Sequence, residues 1–248
     1  MVSVMGVCVA LPAKNCESTI GLVIDSALKS RHRPAVIVID GFSSDRTREV
    51  AEAHGARVFL QSERVYPGKG VAMRDGILRA LELGDFDVLV FLDADIKNLT
   101  PEWVDKLVDE IVLNGVDVAR GYYQRRPRDA PVTKLVARPL LSIFFPELSH
   151  IRQPLSGEVA ARMDVWRMLV AEKDIPKGWG IDIWFLIEAA MKGFKISEVF
   201  LGFKDHASYD DYSEDVEPLK DMAKQIEITV IKEALKYGRM KRLAQFQA

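Results

Sequence analysis

Leu89-Val90-Phe91-Leu92-Asp93-Ala94-Asp95 is a short apolar run that ends in two carboxylates one residue apart. Such a run suits a buried parallel strand and is too short for a helix. It places Asp93 and Asp95 at a strand's C-terminal end, where open α/β sheets bind their ligands. An Asp-x-Asp pair at that position suits a hard divalent cation. Mg²⁺ or Mn²⁺ takes one or two carboxylates from a protein and fills its other positions with water and phosphate oxygens. Asp-x-Asp also falls at strand ends by chance, so the rest of the chain must decide.

Upstream, apolar runs and helical spacings alternate. Residues 4–11 read as a first buried strand stopped by Pro12, and residues 17–30 show helical spacing at Ile20, Val23, Ile24, Ala27 and Leu28. Residues 35–39 form a β-branched run ending at Asp40, and Ser43-Ser44-Asp45 offers N-cap chemistry for a helix over 46–53. A short strand over 56–60 and a helix over 70–83 lead to the Asp-x-Asp strand. Thr100-Pro101 then opens a helix to about residue 113, and residues 116–122 read as another strand. Strand–helix alternation predicts an α/β fold with a mainly parallel sheet flanked by helices. Neither Gly-x-Gly-x-x-Gly nor a P-loop is present, so any nucleotide is held some other way.

The second half breaks the rhythm. Residues 123–132 are polar, basic and proline-punctuated, with Arg125, Arg126 and Arg128, and read as a loop. Those arginines either form a solvated face or meet an anionic ligand, since the guanidinium fork matches phosphate and carboxylate. A helix over 133–145, a turn at 154–158, an apolar helix over 181–191 and a strand over 196–203 follow. A long terminal helix is expected over 216–243, its basic end complementing the helix dipole; attachment to a membrane surface is the alternative.

The 248 residues fit one domain, 1–248, with the regular strand–helix half over 1–123 and the irregular half over 124–248. A formal charge of −2 argues against general nucleic-acid binding. Cys8 and Cys16 give no disulfide framework, and a buried thiol fits a reducing cytoplasm. The apolar N-terminal stretch has no basic flank and meets Pro12 and Lys14, so no signal peptide is expected. No window of about 18 apolar residues predicts a transmembrane segment. A cysteine–histidine pair, a Gly-x-Ser-x-Gly elbow and a zinc-spaced cysteine cluster are all missing, which leaves hydrolase and redox readings little support.

Loops at 12–17, 40–45, 67–70 and 93–95 all follow strands and open on one sheet edge. Asp40 there could meet a base or ribose. Lys69, between Gly68 and Gly70, could neutralise a diphosphate. His206 follows an apolar strand and could be a third ligand to a metal such as Mn²⁺.

These motifs in this order resemble a family. The segments 11–17, 38–47, 67–70 and 92–95 look like the donor half of a GT-A glycosyltransferase. Val132-Thr133-Lys134-Leu135-Val136-Ala137-Arg138-Pro139, Phe145-Pro146-Glu147-Leu148, Gln153-Pro154-Leu155-Ser156-Gly157-Glu158 and Gly178-Trp179-Gly180-Ile181-Asp182 are similar to the glucosyl-3-phosphoglycerate synthases. The resemblance implies that Pro12, Ala13, Glu17, Asp40 and Lys69 hold the nucleotide. It implies that Asp93 and Asp95 form the metal motif, with Asp95 the direct ligand and His206 completing the site. Thr133 matches the contact to the acceptor phosphate, and Leu155, Ser156, Gly157, Glu158 and Asp182 match positions around the donor sugar. It further implies a retaining transfer, and the family's dimer contacts make a homodimer the expected assembly. Three departures stand out: Pro131 where the family has arginine, Ala207-Ser208 where it has Arg-Asn, and a shorter C-terminal part.

The sequence is therefore read as a cytoplasmic, metal-dependent glycosyltransferase taking a hexose from a nucleoside-diphosphate sugar, UDP-glucose foremost, to a small phosphorylated acid such as 3-phosphoglycerate. Asp95, Asp182 and Glu158 are the candidate catalytic residues, and Arg128 joins Thr133 at the acceptor. The competing readings are a polyprenyl-phosphate sugar transferase of similar fold and a non-catalytic nucleotide-sugar-binding protein. Asp95→Asn keeps the side chain's size but removes the charge that holds a divalent cation against diphosphate. Near-complete loss of turnover with an unchanged circular dichroism spectrum is expected; activity within a few-fold of wild type would sink the Asp-x-Asp reading.

Overall fold

The structure, a computed structural model, describes residues 6–212 and 214–242. Residues 4, 5 and 243 of the predicted terminal elements lie outside the described residues. Strand β1 (Val7–Ala13) leads to α1 (Ile20–Leu28), β2 (Ala35–Asp40), α2 (Thr47–Ala53) and β3 (Arg57–Leu60). Helix α3 (Lys69–Leu83), β4 (Val88–Phe91), α4 (Pro101–Asn114) and β5 (Val118–Gln124) complete the first half. Then come α5 (Arg138–Phe144), β6 (Val159–Arg162), α6 (Met163–Val170), α7 (Ile181–Met191), β7 (Ile196–Phe203), α8 (Tyr209–Tyr212) and α9 (Lys220–Lys236).

The strands form one seven-stranded sheet in the order β3-β2-β1-β4-β6-β5-β7. All pairs are parallel except those of β6, which runs against both β4 and β5. The mainly parallel prediction holds, and the inserted strand is what it did not foresee. β1 continues through Pro12 instead of stopping there, because its pairing with β4 ends at Ala10 and Pro12 sits beyond that rung. A strand tolerates proline where a neighbour's ladder has ended.

Both sheet faces are covered, which is why the strands read as uninterrupted apolar runs. Val7, Val9 and Leu11 pack with α1 and α4 on one face, while Cys8 and Ala10 pack with α3, α6 and α7 on the other. A third core joins α5, α7 and α9. The expected helix over 133–145 begins instead as a π-helical turn, Thr133–Ala137, before α5. Arg138 N–H donates to the Thr133 carbonyl, five residues back, and Pro139 has no N–H with which to restore the tighter register. The terminal helix starts at Lys220, later than the predicted 216. Among the described residues no helix is long and apolar enough to cross a membrane.

Helices α7 and α9 meet at two buried acids. Glu188 is fully buried and Glu233 is 4% exposed; Glu188 accepts from Lys236 Nζ and Tyr237 Oη at 2.6 and 2.9 Å. Glu188 Oε2, 3.4 Å from Lys192 Nζ, and Glu233 Oε2 are both buried, and the two carboxyls face one another. Burial, reinforced by the hydrogen bond and charge of Glu188, pushes the Glu233 carboxyl up to about 8. Glu233 thus binds its proton more tightly folded than unfolded. Its contribution to stability is complete below the ordinary glutamate range and is lost as pH rises through about 8. Glu233→Gln keeps a donor toward Glu188 and removes this dependence. The Tm of E233Q relative to wild type is expected to rise by a few degrees between about pH 6 and about pH 9, followed by differential scanning fluorimetry. A difference constant with pH would show that Glu233 does not hold its proton more tightly in the folded chain.

Candidate active site

The loops after β1, β2 and β4, and the entry to α3, open on one edge of the sheet as expected. They enclose a cavity of about 590 Å³. Pro12, Ala13, Lys69, Asp93 and Asp95 line its donor side, and Thr133, Leu155, Asp182 and His206 line the wall built by the second half.

The centre is an alternating row of charges. Lys69 Nζ, at the start of α3, donates to Asp93 Oδ1 at 3.0 Å and to Asp182 Oδ2 at 2.9 Å. Lys204 Nζ, just past β7, donates to Asp93 Oδ2 at 2.8 Å and to Glu158 Oε1 at 2.7 Å. Tyr123 Oη donates to the other oxygen of Glu158 and lies 2.7 Å from Ser156 Oγ. Burial would raise the Asp93 carboxyl, but Lys204 and Lys69 outweigh it and hold the group well below the carboxylate range. Burial would lower the pKa values of both lysines, and their carboxylate partners hold them raised instead. Asp182 is shifted upward, by burial first and by the charge of Asp93, against the pull of Lys69. A Cβ on Gly157 would lie 2.2 Å from Asp93 Oδ1, so the turn before β6 leaves room for that carboxylate only as glycine.

Asp95 has a different environment. Ser208 Oγ donates to Asp95 Oδ2 at 2.6 Å, and His206 Nδ1 lies 3.6 Å from the same oxygen. A backbone bridge between Ile96 and His206, and the bond from Ala207 N–H to the Asp95 carbonyl at 2.9 Å, fix the two segments side by side. Burial works against ionisation of Asp95; hydrogen bonds from His206 and Ser208, together with Lys204, hold its pKa low. Burial likewise disfavours charge on His206, and Asp129 and Asp95 raise its pKa.

This donor set fits a divalent cation. Asp95 and His206 offer one carboxylate and one imidazole nitrogen on the same edge of the cavity. Among the described residues no three His, Cys, Asp or Glu side chains converge as a metal cage. Two protein ligands, with diphosphate and water for the rest, is the usual arrangement for Mg²⁺ or Mn²⁺ at a phosphate site. Both oxygens of Asp93 are taken by lysines, so it anchors those cations beside Asp95.

Other candidates lie around the cavity at greater remove. Asp40 is fully buried behind Gly41, accepting from Ser43 N–H at 3.2 Å. Glu17 is exposed and accepts from Arg46 N–H at 3.0 Å, outside the cavity wall. Ser156 and Glu158 sit behind Asp93, and Arg128 is exposed and off the wall. Arg125 is the arginine that lines it, stacked 4.7 Å from the Tyr123 ring and 3.3 Å from Asp129. Sequence reasoning passed over Lys204 and Asp129, and it named Arg125 only as one of three loop arginines that could meet an anionic ligand. Lys204 had a signal, since it follows an apolar strand as Asp93 does. Asp129 had none, being one acid inside a basic loop.

Fold and site together define a nucleotide-sugar glycosyltransferase of the GT-A class. The family described as the mannosylglycerate synthase GT domain matches residues 11–223. The glucosyl-3-phosphoglycerate synthase of Petrotoga mobilis is 34% identical, across 93% of this chain and 74% of its own length. That of Mycobacterium tuberculosis is 37% identical, across 80% of this chain and 65% of its own, so the chain spans just under two thirds of that relative. A crystal structure of the M. tuberculosis enzyme with Mn²⁺, UDP-glucose and phosphoglyceric acid superposes with a TM-score of 0.77 at 33% identity, covering 93% of this chain and 80% of that one. The chain belongs to this family of glycosyltransferases.

Gly157→Ala tests the row of charges without touching a charged group. The added methyl is expected to displace Asp93 and lower kcat at least about tenfold, with Tm within a few degrees of wild type. Unchanged kcat would show that Asp93 does not need its place between the two lysines.

Proposed function

We propose that this protein transfers glucose from UDP-glucose to 3-phosphoglycerate with retention of configuration, using Mg²⁺ or Mn²⁺. The single observation behind this reading is the convergence of Asp95 and His206 beside Lys69 and Lys204, with Thr133 and Asp182 on the facing wall. The ligands in the relative's crystal structure support the same assignment.

Bound at Asp95 and His206, the cation would supply neutralisation of the charge that builds on the diphosphate as the glycosidic bond breaks. Lys69 and Lys204 add fixed positive charge there, held in place before the reaction by Asp93, Asp182 and Glu158. Pro12, Ala13 and the loops carrying Glu17 and Asp40 form the nucleotide end. Asp182 Oδ1 is buried with no donor among the described residues, an acceptor suited to a sugar hydroxyl. Leu155, ahead of Ser156 and Gly157, walls the sugar from solvent. Thr133, 5% exposed, offers its hydroxyl to the acceptor's phosphate, and Arg125 brings a cation to the same wall where the family's arginine is replaced by Pro131. The acceptor hydroxyl then approaches from the face that the leaving group vacates. One domain, divided near residue 123 into donor and acceptor halves, houses the whole reaction. The reading also carries the cytoplasmic location inferred from the two cysteines, and a homodimer as its assembly.

Thr133→Ala is expected to raise the KM for 3-phosphoglycerate about tenfold while leaving the KM for UDP-glucose within about twofold, since a hydrogen bond to a charged group contributes roughly 1.5–3 kcal/mol. Steady-state assays by UDP release, with 3-phosphoglycerate and unphosphorylated glycerate side by side, supply the measurement. Equal use of glycerate would remove the phosphate site and leave the glycosyl transfer.

A further inference from the structure

His206 is held from both sides of its ring. Nδ1 faces the cavity, 2.8 Å from Ser208 Oγ and 3.6 Å from Asp95 Oδ2. Nε2 faces away, 3.2 Å from Asp129 Oδ2 and 3.4 Å from Oδ1. Asp129 is 1% exposed, so a carboxylate has been buried behind an imidazole at some cost in desolvation. Its backbone is fixed as well: Lys134 Nζ donates to its carbonyl at 2.7 Å, and its own N–H donates to the Arg126 carbonyl at 3.0 Å. The aim of the side chain is thereby set by the loop.

We propose that Asp129 is a positioning residue for the metal ligand, fixing the tautomer and orientation of His206; this rests on the metal site of the proposed function. An imidazole that gives Nδ1 to a cation carries its hydrogen on Nε2, and that N–H needs an acceptor. Asp129 is that acceptor. Arg125 Nη1 also lies 3.4 Å from Nε2, but a guanidinium only donates and cannot serve this tautomer. Carboxylates in this outer position orient histidine ligands and increase their basicity.

The arrangement also ties the cation to the acceptor. Asp129 accepts from Arg125 Nη1 at 3.3 Å with each oxygen, and Arg125 and Thr133 line the acceptor wall. One carboxylate therefore holds the back of the metal ligand and the arginine of the acceptor loop.

The test titrates Mn²⁺ into the full chain at saturating UDP, reading free Mn²⁺ by electron paramagnetic resonance. Asp129→Ala is expected to weaken Mn²⁺ binding about 10–100-fold, the range seen when such outer partners are lost. Asp129→Asn keeps an oxygen for the Nε2 hydrogen and is expected to stay within about fivefold of wild type. UDP affinity without metal should be the same in all three within about twofold. Mn²⁺ affinity of D129A within about threefold of wild type overturns the proposal while leaving the metal site intact. Failure of the wild-type protein to bind Mn²⁺ with UDP removes the metal site and this inference together. A measurement on the unmodified protein stands apart from any folding defect: ¹⁵N histidine spectra of the Mg²⁺–UDP complex should show His206 protonated at Nε2, and an Nδ1–H tautomer there overturns the proposal.

Discussion

Asp93 holds two lysines, and the rest of the site depends on that contact. Its carboxylate is the middle member of a row that runs Asp182, Lys69, Asp93, Lys204, Glu158. Each member comes from a different place: the start of α7, the start of α3, the end of β4, the end of β7 and the turn before β6. Five segments are thus drawn to one point by charges that are too buried to be left unpaired. Hydrophobic residues of similar volume would serve stability as well or better. The row makes sense as a scaffold for cations that must stand still beside a polyanionic ligand. Asp95, two residues on, meets neither lysine and turns to Ser208 and His206 instead.

Much of this was legible in the chain. The Leu89–Asp95 run announced its own place, because a strand that is apolar throughout and ends in acids has few other places to sit. Strand and helix alternation predicted the parallel part of the sheet, and the positions of Lys69 and His206 after strands bring both to one cavity. What was hidden depended on contacts across long sequence separations. Lys204 meets Asp93 across 111 residues and Asp129 meets His206 across 77, and no local pattern encodes either pairing. Antiparallel β6 escaped because four residues between two turns carry no directional signal. Arg125 and Arg128 are the same residue type three positions apart in one loop, and only the folded loop decides which lines the cavity.

The acceptor side is organised by departures from regularity. Thr133 opens a π-helical turn that Pro139 helps to keep, and Ser208 puts a hydroxyl on Asp95 where the family resemblance leads one to expect asparagine. Pro131 removes a cation from the acceptor wall, and Arg125 brings one to it from the preceding strand end.

Antiparallel β6 has a consequence for how such a protein can change. β5 and β6 are sequential neighbours that pair directly, and Gly121 N–H donates to the Glu158 carbonyl at 2.8 Å. Residues 125–158, which carry Arg125, Asp129, Thr133 and Leu155, therefore leave and re-enter the sheet at adjacent points. The whole stretch is a hairpin insert, and closing a longer or shorter loop between fixed ends costs little. Changes of length or residue in this stretch therefore leave both strand ends where they are, and what they must respect is the core it shares with α7 and α9.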